Sequence, residues 1–248
     1  MRGYGGTDAP ADVADYDIDH LVADMVGIVD EAGRETTVIV GHDWGAVVAW
    51  HAALLRPDRF RAVAALSIPY FGRPPAPPLS IWKQRYGDDF YYILYHQAPL
   101  LRMLLASPGA AREAPTITSP HWDAGGFIGR WGRPRELPAW LTQQDLDHYV
   151  AGFRRSGFRG GLNYYRNFDR NWELLAGQDP VVRVPALFIA GDRDLAVAHL
   201  GRAEVERRMR PLVPDLRQIE WIEGAGHWIQ QECPAACNRA LLEFLAGL

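Results

Sequence analysis

Three residues of this chain could combine nucleophilic and acid–base chemistry: Asp43, Asp194 and His227. Asp43 stands at the centre of Gly41-His42-Asp43-Trp44-Gly45, just after the β-branched run Val38-Ile39-Val40 and just before a small, apolar, helix-length stretch at 46–55. A strand, a tight Gly-x-acid-x-Gly turn and a helix make a nucleophile elbow. A side chain at either glycine would crowd the strand-to-helix corner, and glycine tolerates the strained dihedrals. A carboxylate at the centre is ionised at neutral pH without help. It attacks an electrophilic carbon and leaves an ester on the protein. An ordinary strand-to-helix turn with an N-terminal Asp would carry the same residues, so the motif needs partners elsewhere in the chain.

Those partners stand at the ends of two other predicted strands. Residues 184–190 read as a buried strand that runs into Gly191-Asp192-Arg193-Asp194, and residues 218–222 as a last strand before Gly224-Ala225-Gly226-His227. In open parallel sheets the C-terminal strand ends line the ligand crevice. A histidine on a glycine-flanked loop there can reach both acids, and Asp194 would orient it while it activates a water. Asp192 competes for the acid role and is read as a turn residue.

The elements that must position these groups follow from periodicity. Ile18, Leu21, Val22, Met25, Ile28 and Val29 form a one-sided helical stripe, ended by Gly33. Residues 63–68 read as a further buried strand. Strands joined by helices imply a parallel sheet with crossover connections, an α/β architecture. From Tyr70 the character changes: Pro74-Pro75-Ala76-Pro77-Pro78 reads as a stiff extended spacer, and the aromatic-rich stretch behind it holds no strand run. Leu146, Tyr149, Val150 and Phe153 give that stretch a helical stripe. The expected division is a core at 1–69, a helical cap at 70–178 that covers the sheet's active end, and the rest of the core at 179–248. Glu204 to Met209 falls in a polar helix, and Cys237, Leu241, Phe244, Leu245 and Leu248 mark an amphipathic closing helix.

Composition excludes several other classes. The 248 residues are 48% hydrophobic and 23% charged, as in a soluble globular protein, and the net charge of −4 leaves no basic footprint for nucleic acid or an anionic membrane. No apolar run of about 18 residues and no signal peptide is present. Cys233 and Cys237 share a helical face with no histidine at zinc-ligand spacing. They read as free thiols in a reducing compartment, so cytoplasmic is the expected location, with no metal and no cofactor. Monomer and homodimer are both open.

With these motifs in place, the sequence resembles the epoxide hydrolases of the α/β-hydrolase fold over nearly its whole length. The order nucleophile, acid, histidine is that fold's triad order. The resemblance is carried by Gly41-His42-Asp43-Trp44-Gly45, by Tyr-Ile-Leu-Tyr-His-Gln at 92–97, by Gly157-Phe158-Arg159-Gly160-Gly161-Leu162-Asn163-Tyr164-Tyr165-Arg166-Asn167, and by Gly226-His227-Trp228. It implies a mostly parallel sheet with a helical cap, and two cap tyrosines, matching Tyr92 and Tyr165, that hold the epoxide oxygen. Tyr91, Tyr95 and Tyr164 are close decoys. Asp43 would open the ring, His227 oriented by Asp194 would direct water at the ester, and a vicinal diol would leave. The Trp44 backbone N–H would be one oxyanion donor. A phenol with pKa ~10 can donate to an emerging alkoxide, whose conjugate acid lies near water at about 15.7. The aromatic-rich cap points to a small hydrophobic epoxide.

One departure sets further expectations. The family has about three upstream strands, one ending in a His-Gly-x-Pro loop that gives the second oxyanion N–H, and this sequence contains no such motif. Losing one donor typically costs ~10²–10³ in rate, and a bare edge on Val38-Ile39-Val40 would be an aggregation site. Met1 reads as an internal methionine, and the chain is expected to fold poorly, swap strands or be a truncated reading of a longer gene, with turnover in question. Two rival functions stay open: a haloalkane dehalogenase, which shares an Asp nucleophile followed by Trp, and a non-catalytic small-molecule binder. His42 reads as a structural elbow residue. His96, His121, His148 and His199 read as surface or cap residues, and Trp122, Trp131, Trp140 and Trp172 as packing.

Overall fold

The computed structural model describes residues 1–87 and 136–248. Among them, the apolar runs become β1 (Thr37–His42), β2 (Phe60–Leu66), β3 (Ala186–Gly191) and β4 (Leu216–Ile222). They form one sheet in the order β1-β2-β3-β4, with every neighbouring pair parallel. The helices are α1 (Ile18–Glu31), α2 (Trp44–Leu55), α3 (Pro78–Tyr86), α4 (Gln143–Ser156), α5 (Arg159–Arg166), α6 (Phe168–Leu174), α7 (Arg202–Met209), α8 (Ile229–Glu232) and α9 (Pro234–Ala246). No helix among the described residues is long and apolar enough to cross a membrane.

Contacts divide the chain into two units, Ile18–Arg73 with Gly177–Leu248, and Met1–Asp17 with Pro74–Ala176. In the first, the sheet is apolar on both faces, as parallel sheets covered by helices must be. Along β2 and β3, Val63, Ala65, Ala186, Phe188 and Ala190 pack with Ala49, Trp50 and Ala53 of α2 and with Val205 and Met209 of α7. The alternate residues Ala62, Ala64, Leu66, Leu187 and Ile189 pack with Ile229 of α8 and with Cys237, Ala240 and Phe244 of α9. Period-2 alternation therefore feeds two cores from one strand, which is why these strands read as continuous apolar runs. The buried Trp50 indole satisfies its N–H on the Ile68 carbonyl at 3.0 Å. Each fully buried side chain of this size contributes about 1.5–3 kcal/mol.

The edge is different. β1 pairs with β2 alone among the described strands, and Val40 is 49% exposed.

The second unit is helical over its described residues. Its N-terminal seventeen residues pack with α5 and α6. A Cβ on Gly3 would lie 2.8 Å from the Gly160 Cα, Asn167 Nδ2 donates to the Val13 carbonyl at 2.6 Å, and Arg170 pairs with the buried Asp17 at 2.8 Å. The proline spacer ends one residue early: Pro78 opens α3, because proline's fixed φ suits a first helical position. α4 starts at a capping box, in which Asp145 N–H donates to Thr142 Oγ1 at 3.1 Å and Thr142 N–H donates to the Asp145 carboxylate at 3.0 Å. Its stripe is only partly covered, with Tyr149 and Val150 exposed.

Candidate active site

The turn after β1 is a true elbow. Asp43 has φ 54°, a region that costs a non-glycine residue roughly 1–3 kcal/mol. A Cβ on Gly41 would sit 2.0 Å from the Gly45 carbonyl oxygen, so the first glycine of the motif is obligatory. The Ala46 and Val47 N–H groups donate to the Asp43 carbonyl at 2.9 and 3.1 Å, which starts α2 and leaves the Asp43 side chain pointing off the corner.

β3 and β4 deliver the other two groups. His227 Nε2 lies 3.2 Å from Asp43 Oδ2, and His227 Nδ1 lies 3.1 Å from both carboxylate oxygens of Asp194. Asp194 is buried to 1% exposure, and its Oδ1 also accepts the Ala196 N–H at 2.9 Å. Asp192 is turned elsewhere: it accepts the Gly224 N–H at 2.8 Å and pairs with Arg202 at 3.2 Å. The imidazole thus bridges two carboxylates.

That bridge sets the protonation states. Burial alone pulls the His227 imidazole down, but the hydrogen bonds and charges of Asp194 and Asp43 outweigh it and push it up to about 10. Burial works to raise the Asp43 carboxyl, yet the His227 hydrogen bond and charge, with a backbone hydrogen bond from Trp44, hold it below the usual carboxylate range. The resting arrangement is an imidazolium between two carboxylates. His42 is pulled down, chiefly by burial, so it stays neutral.

The histidine loop is itself held. His42 Nε2–H donates to the His227 carbonyl at 2.8 Å, and Ser67 Oγ–H donates to the same oxygen at 2.9 Å. Glu232 accepts the Gly226 N–H at 2.7 Å and the Trp228 N–H at 2.9 Å, one on each side of His227. A Cβ on Gly191 would lie 2.2 Å from the Ala225 carbonyl oxygen, so the end of β3 and this loop touch backbone to backbone. Sequence reasoning passed over Ser67 and Glu232. Glu232 had a local signal, a carboxylate five positions after the histidine at the end of a short helical turn. Ser67 had none, since its partner lies 160 positions away.

The two tyrosines matched by resemblance fare unequally. Tyr92 lies outside the described residues, as do Tyr91, Tyr95, His96, His121, Trp122 and Trp131. Tyr165 is half-buried in α5, edge-on to Phe168 with centroids 5.9 Å apart. Its neighbour Tyr164 is fully buried, donates to the Arg2 carbonyl at 2.7 Å and packs against Tyr4 and Tyr16, which is a structural role. Trp172 is likewise structural, donating to the Pro74 carbonyl at 2.8 Å. No cluster among the described residues could hold a metal ion. Cys233 and Cys237 are free thiols at the start of α9, and burial pushes the Cys237 thiol up to about 11.

Residues 1–234 match the family model described as the α/β-hydrolase fold. The chain is 46% identical over 267 residues to Epoxide hydrolase A of Mycobacterium tuberculosis, covering all of this chain and 80% of that protein. It is 37% identical to Epoxide hydrolase 3 of Siraitia grosvenorii, covering 99% and 81%. The crystal structure of Epoxide Hydrolase A from Mycobacterium thermoresistibile superposes with a TM-score of 0.86 at 43% identity, covering all of this chain and 81% of that one. With its elbow carboxylate, its two-acid histidine and these relatives, the chain belongs to the epoxide hydrolases of the α/β-hydrolase fold family.

Proposed function

We propose that the protein converts a small hydrophobic epoxide and water to a vicinal diol through an ester on Asp43, in the cytoplasm and without metal or cofactor. The observation that supports this most is the imidazole set between two carboxylates, one of them on an elbow. A serine-type site has a single acid behind the histidine; a second acid in front of it is a nucleophile that needs no deprotonation.

In the first half, an Asp43 carboxylate oxygen forms a bond to an epoxide carbon and that carbon's bond to the ring oxygen breaks. The phenols assigned by resemblance, Tyr92 and Tyr165 in a cap at 70–178, hydrogen-bond this oxygen and one gives it a proton. Esterification removes the Asp43 charge, one of the two that keep His227 protonated. The imidazolium then releases a proton, which restores the phenol through solvent, and becomes a base once there is an ester to hydrolyse. In the second half, His227 takes a proton from water, and the resulting hydroxide adds to the ester carbonyl. The Trp44 N–H, already directed at this carboxylate, stabilises the oxyanion. Collapse expels the diol, which takes its proton from His227; the Asp43 carboxylic acid left behind then passes its own proton to His227, which restores the carboxylate and the imidazolium.

The test is to offer the purified protein a panel of hydrophobic epoxides and haloalkanes. Diol formation without halide release supports the reading; halide release without diol, or neither on a folded chain, overturns it.

A further inference from the structure

The imidazole of His227 is held by Asp194, but the structure shows a second set of restraints on the backbone that carries it. Glu232 grips the N–H before and the N–H after His227, at 2.7 and 2.9 Å. The carbonyl of His227 accepts from Ser67 and from His42, at 2.9 and 2.8 Å. The peptide group that follows this residue is thus held by side chains at both its oxygen and its nitrogen, and the Gly226 N–H is held by the same carboxylate. The donors are themselves constrained. Ser67 is fully buried at φ 71°, left-handed for a non-glycine residue, and its N–H is tied to the Ile189 carbonyl at 2.8 Å. The His42 ring packs at a tilt against Trp228 and the His227 ring, with centroids 5.2 and 4.8 Å away. Left-handed strain at a buried serine persists only where the surroundings over-determine it, and here its hydroxyl ends on the residue that contacts both acids.

We infer that Glu232, Ser67 and His42 are positioning residues that hold the His227 backbone so that its ring meets Asp43 and Asp194 at once. This rests on the proposed epoxide reaction only for its kinetic consequence. Alkylation needs Asp43 and the phenols but no base, whereas ester hydrolysis needs a correctly aimed His227. Loosening the clamp should therefore slow the second half of the reaction and leave the first nearly unchanged. A merely structural role would lower stability or slow both halves together.

The test uses Glu232→Gln, which turns one of the two accepting oxygens into a donor facing an N–H, together with Ser67→Ala and His42→Phe. Where Glu232→Gln does not fold, the other two decide the matter. Two readouts are taken on variants whose thermal unfolding remains cooperative. The first is the titration midpoint of the His227 ring by carbon-13 NMR, facing His42, Asp43 and Asp194, which needs no substrate; each variant should lower it by ~1 pH unit as the two-acid contact loosens. The second is single-turnover kinetics with an epoxide. Hydrolysis of the ester should fall ~10–100-fold, with ester accumulating, while its formation stays within about threefold. In an Asp194→Asn background the further loss should be much smaller, since both act through the same ring. Folded variants with an unchanged midpoint and an unchanged ratio of the two rates would overturn the inference. If the parent chain forms no ester, the epoxide reading fails and the NMR comparison alone decides the clamp.

Discussion

β1 and β3 each end at a carboxylate that touches His227, yet they are secured very differently. β3 is fully buried along its length, lies between β2 and β4, and ends at an Asp194 that is 1% exposed. β1 is half-exposed, pairs with β2 alone among the described strands, and ends at an Asp43 side chain that is 37% exposed. In the proposed reaction the buried acid only orients, and the more exposed acid must meet a substrate, change its covalent state and be regenerated. Fixing the histidine from the β3 side would let Asp43 become an ester without loss of the base's aim.

Breaking each carboxylate should show this division. Asp43→Ala removes the nucleophile and should reduce diol formation by ~10⁴-fold or more, with no ester detectable by intact mass. Asp194→Asn should leave ester formation nearly intact and slow its hydrolysis by ~10²–10⁴-fold, so the same mass measurement should find ester accumulating. Equal effects on both steps would erase the proposed difference between the two strands.

The structural side of the comparison can be tested by denaturant unfolding. Phe188→Ala on β3 should cost about 3–5 kcal/mol, because a fully buried ring leaves a cavity between packed helices. Val40→Lys on β1 should shift stability by no more than ~0.5 kcal/mol. It should also reduce light scattering on concentration, since a charge on an exposed edge discourages strand pairing.

The pH dependence sharpens the electrostatic part. His227 is raised in the folded protein from 6.5 to about 10, so its two-acid pairing contributes fully below about 6.5 and is lost as pH rises through about 10. The melting temperature should fall across that window, and fall less in Asp194→Asn. A parallel decline in both proteins would mean that His227 does not hold its proton as the geometry implies.

Much of this was legible in the sequence, and the reasons are local. Val38-Ile39-Val40 and Gly41-x-Asp43-x-Gly45 announce a strand and a corner because β-branched residues followed by two closely spaced glycines have few other uses in that order. Asp194 and His227 follow from their places after apolar runs. The rest depends on distance in the chain. Nothing near Ser67 hints that it reaches the carbonyl of His227. Nothing in the glycine-rich start hints that Gly3 packs on Gly160 in α5, a contact set by two backbones meeting without side chains. Tyr164 and Tyr165 are adjacent and of one type; only burial separates the phenol bonded to the Arg2 carbonyl from its half-buried neighbour.

The central claim, that Asp43 forms an ester which water opens at the carbonyl, is tested most directly by a single turnover in oxygen-18 water with enzyme in excess over epoxide. The diol from that turnover should contain no oxygen-18, because its new oxygen comes from Asp43, and the peptide holding Asp43 should gain one oxygen-18. Heavy oxygen in the first-turnover diol, with Asp43 unlabelled, would contradict the account.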